Sequence, residues 1–185
     1  MWIALIVIVA IIILWAIIAY NSLVRKKLKV ENSWGQIDVQ LQRRFDLIPN
    51  LVNCVKGYME HEKDTLAKVT ELRTAWAKAE KVGEKAELDN QLSSALKTIM
   101  AVSENYPDLK ANQNFSELQE ELRNTENKIS YARQFYNDCV TMYNEALQVF
   151  PSSIIASIFH FTQSELFLVT DEETRKNVKV DFGNN

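Results

Sequence analysis

Residues 34–76 read WGQIDVQLQRRFDLIPNLVNCVKGYMEHEKDTLAKVTELRTAW, and their apolar residues recur in alternating steps of three and four. This spacing places one apolar stripe on one face of an α-helix. The stripe comprises Trp34, Ile37, Leu41, Phe45, Ile48, Val52, Val55, Met59, Glu62, Leu66, Val69, Arg73 and Trp76, of which only Glu62 and Arg73 are polar. It predicts a helix from Asn32 to Glu80, with a kink at residues 45–49 because Pro49 removes one backbone hydrogen bond. A break there, giving two helices, is the alternative.

The preceding residues predict a membrane anchor. Residues 1–24, MWIALIVIVAIIILWAIIAYNSLV, contain no Asp, Glu, Lys, Arg or His, and residues 1–20 form an unbroken apolar run. About 20 apolar residues are needed for a helix to cross the hydrocarbon core. A cleaved signal peptide is the competing reading, but its apolar core is shorter and follows a basic stretch. The run favours an uncleaved transmembrane helix.

Basic residues after the apolar run predict its orientation. They are Arg25, Lys26, Lys27 and Lys29. Because basic flanks stay on the cytoplasmic side, we expect a single-pass protein of the inner cell membrane with its N-terminus outside and the following domain in the cytoplasm. The same four side chains would lie at anionic lipid headgroups. Membrane lipid is therefore one expected partner.

Further helices are predicted downstream. One is expected over residues 84–106, and another from Asn114, as helix cap, to Val149, where Pro151 stops it. A short helix is expected over residues 152–160. The predicted fold class is all-α, a single N-terminal transmembrane helix followed by an elongated antiparallel bundle of three to four long helices. The predicted parts are the anchor (1–24), a basic flank (25–31), the bundle (32–160) and a less regular tail (161–185).

The first bundle helix carries more than one stripe. A second apolar strip lies a quarter-turn from the first, and a polar strip of short side chains lies almost opposite. Two helices of the same bundle, or another subunit, would cover the second apolar strip. The polar strip is either a solvated face or a surface that another backbone can approach. The candidate interaction surface is Asp46, Asn50, Asn53, Gly57, Leu47, Leu51 and Tyr58.

Two Tyr-Asn pairs repeat one heptad apart on the last long helix, Tyr136-Asn137 and Tyr143-Asn144. Their polar groups predict hydrogen bonds toward the first bundle helix, to Arg43, Arg44 or Asp46. We interpret the two pairs, with Arg43 and Arg44, as a structural polar clamp inside the bundle. A peptide-binding groove with the tyrosines at its edge is the alternative.

The stretch DVQLQRRFDLIPNLVNCVKGYMEHE, residues 38–62, resembles the LemA family of bacterial membrane proteins. Further stretches match the family pattern and keep its order along the chain, namely residues 20–24, 104–111, 132–137, 143–144 and 150–151. The resemblance implies a single N-terminal span, an α-helical bundle and no known enzyme activity. Family members are often encoded beside a membrane zinc metalloprotease, and one branch helps to build an organelle membrane. The resemblance therefore implies roles in membrane organisation or quality control.

Catalytic and metal-binding patterns are missing from the sequence. His61-Glu62 begins a His-Glu-x-x-His pattern, but Thr65 stands where the second histidine is required. The cysteines, Cys54 and Cys139, are 85 positions apart and are expected to be small core residues. The net charge of −3 argues against nucleic-acid binding. We expect no enzyme, cofactor or metal.

Two function classes follow from these features. The first is a non-catalytic membrane-anchored scaffold that forms homo-oligomers and organises proteins or lipid at the cytoplasmic membrane. The heptad-like stripes and the second apolar strip favour it. The alternative is an adaptor that presents clients to a membrane metalloprotease or chaperone through the short polar strip. A membrane protease is accordingly a candidate partner.

Overall fold

The structure, a computed structural model, describes residues 1–59 and 62–168, and all regular elements in these two ranges are helices. Four of them have 14 residues or more. The helices are α1 (Trp2–Asp46), α2 (Ile48–Val55), α3 (Lys63–Trp76), α4 (Val82–Ser103), α5 (Pro107–Lys110), α6 (Gln113–Gln148) and α7 (Ser152–Ile158). The predicted all-α fold, an apolar N-terminal helix followed by a helical bundle, is confirmed.

Helix α1 joins the apolar segment to the bundle without a break. Its 45 residues make it about 67 Å long at about 1.5 Å per residue. The basic flank at residues 25–29 is part of this helix and is mostly exposed. The bundle is therefore a direct continuation of the apolar helix, with no linker between them.

The single helix predicted from Asn32 to Glu80 is wrong, because the chain divides into α1, α2 and α3. Helix α1 ends at Asp46, and α2 starts at Ile48, after the single residue Leu47, with Pro49 in its first turn. Proline is well suited to that position because the first amides of a helix have no internal partner. A second interruption follows α2 near Gly57, a residue type that disfavours helix. The predicted alternative, a break at Pro49 that gives two helices, accounts for the first interruption but not for the second.

Helix α6 packs antiparallel along α1, as expected from their lengths. Trp34 of α1 contacts Tyr136 of α6, with ring centroids 5.7 Å apart. Arg44, further along α1, reaches Glu126, which comes earlier in α6. Helices α3 and α4 form the second antiparallel hairpin and close the core. Phe45 stacks on Trp76 of α3 at 4.8 Å, which couples the two halves of the bundle.

Three predicted helix boundaries shift slightly. Helix α4 covers Val82–Ser103 rather than residues 84–106, and α7 ends at Ile158 rather than at residue 160. The cap of α6 is Asn112, not Asn114, because the Asn112 Oδ1 accepts hydrogen bonds from the amides of Asn114 and Phe115 at 2.9 and 3.4 Å. The stretch between the predicted helices that correspond to α4 and α6 contains α5.

Candidate interaction surfaces

An extended segment, residues 161–168, follows α7 and runs back along α6. Both Tyr-Asn pairs of α6 bind its main chain. The Asn144 Nδ2 donates to the carbonyl oxygen of Ser164 at 2.9 Å, and the Asn144 Oδ1 accepts from the amide of the same residue at 2.9 Å. Asn137 makes the equivalent pair of bonds to Phe167, at 3.0 and 2.9 Å. Each asparagine amide therefore pairs with one residue of the segment as a neighbouring β-strand would.

The two tyrosines complete this arrangement. The Tyr136 hydroxyl donates to the carbonyl oxygen of Glu165 at 2.7 Å, and the Tyr143 hydroxyl donates to that of Thr162 at 3.1 Å. We call Tyr136, Asn137, Tyr143 and Asn144 the α6 ladder. All six bonds end on main-chain atoms of the segment. The hydrogen bonds of the α6 ladder therefore hold the extended backbone of the segment in place and do not depend on which side chains the segment carries.

One side chain anchors the segment. Phe167 is fully buried, and its ring centroid lies 6.1 Å from that of Trp34. Burial is the main cause that raises the pKa of Tyr136 to about 12, and the negative charge of the nearby Glu165 adds to it. Burial also raises the pKa of Tyr143, and the negative charge of Glu31 makes a smaller contribution in the same direction. Both hydroxyls therefore stay protonated near neutral pH and keep donating their hydrogen bonds.

The predicted partners of the α6 ladder are wrong. Its tyrosines and asparagines bind residues 162–167, whereas the prediction paired them with Arg43, Arg44 or Asp46. The antiparallel register explains the difference, because it places Trp34 beside Tyr136 and Arg44 beside Glu126. The side chain of Asp46 instead accepts from Gln42 at 2.8 Å.

Arg44 occupies a second polar cluster, deeper in the bundle. Its guanidinium pairs with Asp89 of α4 at 2.7 Å and with Glu126 of α6 at 2.5 Å. The side chains of Arg44 and Asp89 are only 3% and 2% exposed. Burial raises the pKa of Asp89, although the adjacent Arg44 opposes that shift. Arg43, one residue earlier, makes an exposed pair with Glu121 at 2.6 Å.

The predicted polar strip is solvent-facing. Asp46, Asn50, Asn53 and Gly57 are all exposed. An open cleft of about 650 Å³ lies between α2 and the start of α6. Its lining is rich in amide side chains, with Asn50, Asn53, Cys54, Asn112, Asn114, Glu117, Leu118 and Glu121. We call it the amide cleft.

The second apolar strip of α2 is largely covered by the bundle itself. Leu51 is fully buried, and Leu47 and Cys54 are half-buried against the main core. Tyr58 is exposed, and its hydroxyl accepts a hydrogen bond from the Asn112 Nδ2 at 3.3 Å. Most of this strip is consequently unavailable to another subunit.

A third surface was missed by the sequence reasoning. A groove of about 630 Å³ between α1 and α6 exposes Val39, Tyr131 and Phe135, with Tyr131 77% and Val39 65% exposed. Gly35 lies in it, and a Cβ added there would meet open space. We call it the α1/α6 groove, lined by Asn32, Gly35, Gln36, Val39, Gln40, Lys128, Tyr131, Ala132 and Phe135. Val39, Tyr131 and Phe135 are apolar residues outside the buried stripes, and this is the sequence feature from which the groove could have been predicted.

The basic flank lies between this groove and the apolar segment. Arg25, Lys27 and Lys29 are exposed, and Lys26 is half-buried. The Lys29 ammonium lies 5.5 Å from the ring centroid of Phe135, a cation–π distance. The flank therefore presents positive charge around the helix just beyond the apolar run.

In residues 1–59 and 62–168, no three His, Cys, Asp or Glu side chains lie close enough together to hold a metal ion. Cys54 is a half-buried free thiol and Cys139 a buried one. His61 lies outside the described residues, as do residues 169–185 of the predicted tail.

Comparisons with known proteins identify relatives of this chain. Protein LemA of Metamycoplasma hominis is 24% identical over 154 residues, which covers 83% of this chain and 70% of that protein. Magnetosome proteins MamQ 1 and MamQ 2 of Paramagnetospirillum magneticum are each 25% identical over 174 residues. The alignment covers 80% of this chain but only 64% of either magnetosome protein. The sequence profile of the LemA family matches residues 33–182, and the chain belongs to the LemA family.

Proposed function

We propose that this protein is a non-catalytic scaffold, anchored in the cytoplasmic membrane, that self-assembles through the α1/α6 groove. The observation that carries the proposal is the exposed apolar lining of that groove, on the same continuous helix as the apolar segment. Exposed apolar clusters on a folded domain mark interaction sites. The scaffold would hold proteins or lipid in place at the inner face of the membrane.

Membrane anchoring rests on the first half of α1. This helix contains a window of mean hydropathy 3.2, none of which is buried against the rest of the protein. Such a surface is stable only when lipid or protein covers it. The basic flank supports the orientation given above, with the bundle in the cytoplasm. Anionic headgroups would bind Arg25, Lys27 and Lys29.

A second copy of the same chain is the proposed occupant of the groove. Anchored copies stand parallel and at the same height, so the same groove of two neighbours meets across an axis normal to the membrane. Confinement to a surface also raises the effective concentration of each copy. Gly35 allows the backbones to approach closely. The two magnetosome relatives carry the name of an organelle structure, which supports a role in membrane organisation.

Cross-linking in native membranes tests the proposal. Cys54 is replaced by alanine, the buried Cys139 is kept, and Tyr131→Cys or Val39→Cys is introduced before treatment with a bifunctional maleimide. We expect self-linked dimers and higher products. Ser130→Cys, at an exposed position next to Tyr131 but on another face of α6 and outside the groove, is the matched control and should give none. Monomer alone from both groove positions would contradict the proposal.

The adaptor function is the second candidate, and the amide cleft favours it. Asn50, Asn53, Asn112 and Asn114 present uncharged donors and acceptors, which suit the backbone of a bound polypeptide. The cleft would lie about 45 Å along the helices from Tyr20, at about 1.5 Å per residue. A membrane metalloprotease or a chaperone is the proposed partner. Asn53→Cys cross-linked to another protein, with no self-linked product from the groove, would favour this function over the scaffold.

A further inference from the structure

The α6–α7 corner carries a second exposed apolar surface. Five large apolar side chains in and beside the short helix α7 are exposed. We call them the α7 patch, which consists of Val149, Phe150, Ile154, Ile158 and Phe159. Phe150 is 77% exposed and Ile158 is 61% exposed. Ile154 and Ile158 are four residues apart and share one helix face.

The opposite face of α7 packs on the apolar segment of α1. Ile155 and Ala156 form a buried cluster with Ala19 and Leu23. Aromatic contacts extend this packing, since the ring centroid of Tyr20 lies 4.7 Å from that of Phe159 and 5.8 Å from that of Phe161. Trp15 and Ala16 also pack against the cluster. Helix α7 is therefore held beside the last turns of the apolar run, not beside the polar part of α1.

This position sets the depth of α7 relative to a membrane. Residues 1–20 span about 30 Å as a helix, which is the thickness of the hydrocarbon core. The contacts with Trp15, Ala16 and Ala19 then place α7 at the cytoplasmic edge of that core. Arg25 and Lys27, one to two turns further along α1, would lie at the headgroups.

The chemistry of the corner suits that depth. Residues 146–164 contain no Asp, Glu, Lys or Arg, and His160 is the single histidine among them. The Ser152 hydroxyl donates to the carbonyl oxygens of Ala146 and Val149, at 2.7 and 2.9 Å, and so satisfies acceptors at the end of α6. Partial satisfaction of the helix end lowers the cost of leaving water.

We infer that the α7 patch inserts into the cytoplasmic leaflet and forms a second lipid contact beside the transmembrane helix. The patch binds the upper acyl-chain region of phospholipids, as interfacial apolar side chains do. Two contacts on one membrane, rather than one, fix the tilt and rotation of the bundle. The inference rests on the membrane anchoring in the proposed function and is independent of self-assembly.

Spin labels measure the depth of the patch in the full chain. The protein with Cys54→Ala is labelled with a nitroxide at Ile158→Cys or Ile154→Cys and reconstituted in phosphatidylcholine–phosphatidylglycerol vesicles. Oxygen concentrates in the hydrocarbon region, whereas a nickel chelate stays in water. Ile8→Cys is the control for the transmembrane segment, and Met142→Cys is the exposed control in the bundle. Unchanged helical circular dichroism verifies that each variant is folded.

We expect the labels at Ile154 and Ile158 to collide with oxygen more than with the nickel chelate, as the label at Ile8 does, while the label at Met142 shows the reverse. Nickel contact at Ile158 equal to that at Met142 would overturn the inference and leave the anchoring intact. Low contact with both reagents would also overturn it, since another protein copy would then cover the patch. Nickel contact at Ile8 would overturn the anchoring and the inference together.

Discussion

The two polar clusters of the bundle hold the chain together in different ways. At the centre, Arg44 joins three helices through charged partners, Asp89 on α4 and Glu126 on α6. Nearer the apolar segment, the α6 ladder joins one helix to residues 162–167 through neutral groups and main-chain atoms. The first cluster depends on particular partner side chains. The second depends on the shape of a backbone.

This difference separates the part of the protein that must be fixed from the part that tolerates change. A buried charge left without its partner is very costly, so the Arg44 cluster locks the relative positions of α1, α4 and α6. Hydrogen bonds to a main chain survive most substitutions in the bound segment. The extended segment could therefore vary in sequence while keeping its path along α6, provided that Phe167 still fills its site.

Removing the central charge should have the largest effect. Arg44→Met leaves Asp89 buried without its ion pair, which costs about 3–5 kcal/mol. We expect a drop in the melting temperature of the full chain in detergent, followed by circular dichroism at 222 nm. Arg43→Met is the matched control on the adjacent residue. Its pair with Glu121 is about half exposed and is worth less than about 1 kcal/mol. Equal drops in melting temperature for Arg44→Met and Arg43→Met would contradict the distinction between the buried and the exposed ion pair.

Removing one asparagine of the α6 ladder should have an intermediate, local effect. Asn144→Ala deletes both bonds to Ser164, at about 1 kcal/mol each. Hydrogen exchange at the Ser164 amide should become about 30-fold faster, since 1.4 kcal/mol corresponds to a factor of ten. Ser164→Ala is the control, because Asn144 contacts only main-chain atoms of that residue. Faster exchange at position 164 in the control would show that the serine side chain matters.

Removing one hydroxyl should have the smallest effect, and it predicts a pH dependence. Tyr136→Phe loses one bond to Glu165, about 1 kcal/mol. An unfolded tyrosine releases its proton near pH 10, whereas the folded Tyr136 has a pKa of about 12. The folded state therefore binds more protons between these values, and the contribution of Tyr136 to stability falls as pH rises from 10 to 12. The wild-type chain should melt at a higher temperature than Tyr136→Phe at pH 8, and the two melting temperatures should converge at pH 11. A constant gap would contradict this assignment.

Regular apolar spacing predicted the parts of the fold that depend on local sequence. The long α6 follows from apolar residues three or four apart, and the N-terminal apolar helix follows from an unbroken apolar run. The division of the 32–80 helix was only partly foreseen. Pro49 marked the first interruption, but a single Gly57 is a weak signal for the second.

The polar clusters were harder to predict because their partners are distant in sequence. Nothing near Arg44 indicates that Asp89, 45 positions later, is its partner. The Tyr-Asn repeat signalled a binding role, but residues 161–168 have no periodicity that would identify them as its ligand. The α1/α6 groove was missed for a related reason, since Val39 and Tyr131 meet there only after α1 and α6 pack. Register between helices, rather than helix content, was the missing information.

The mass of the full chain in nanodiscs made with native lipid tests the central claim, that the α1/α6 groove drives assembly. We predict a discrete oligomer that becomes a monomer when Val39→Glu and Tyr131→Glu are combined, because two exposed acidic groups would face each other across the interface. Ser130→Glu, at an exposed position of α6 on another face and outside the groove, should keep the oligomer. A monomeric wild-type chain, or an oligomer of unchanged mass in the double variant, would contradict the account.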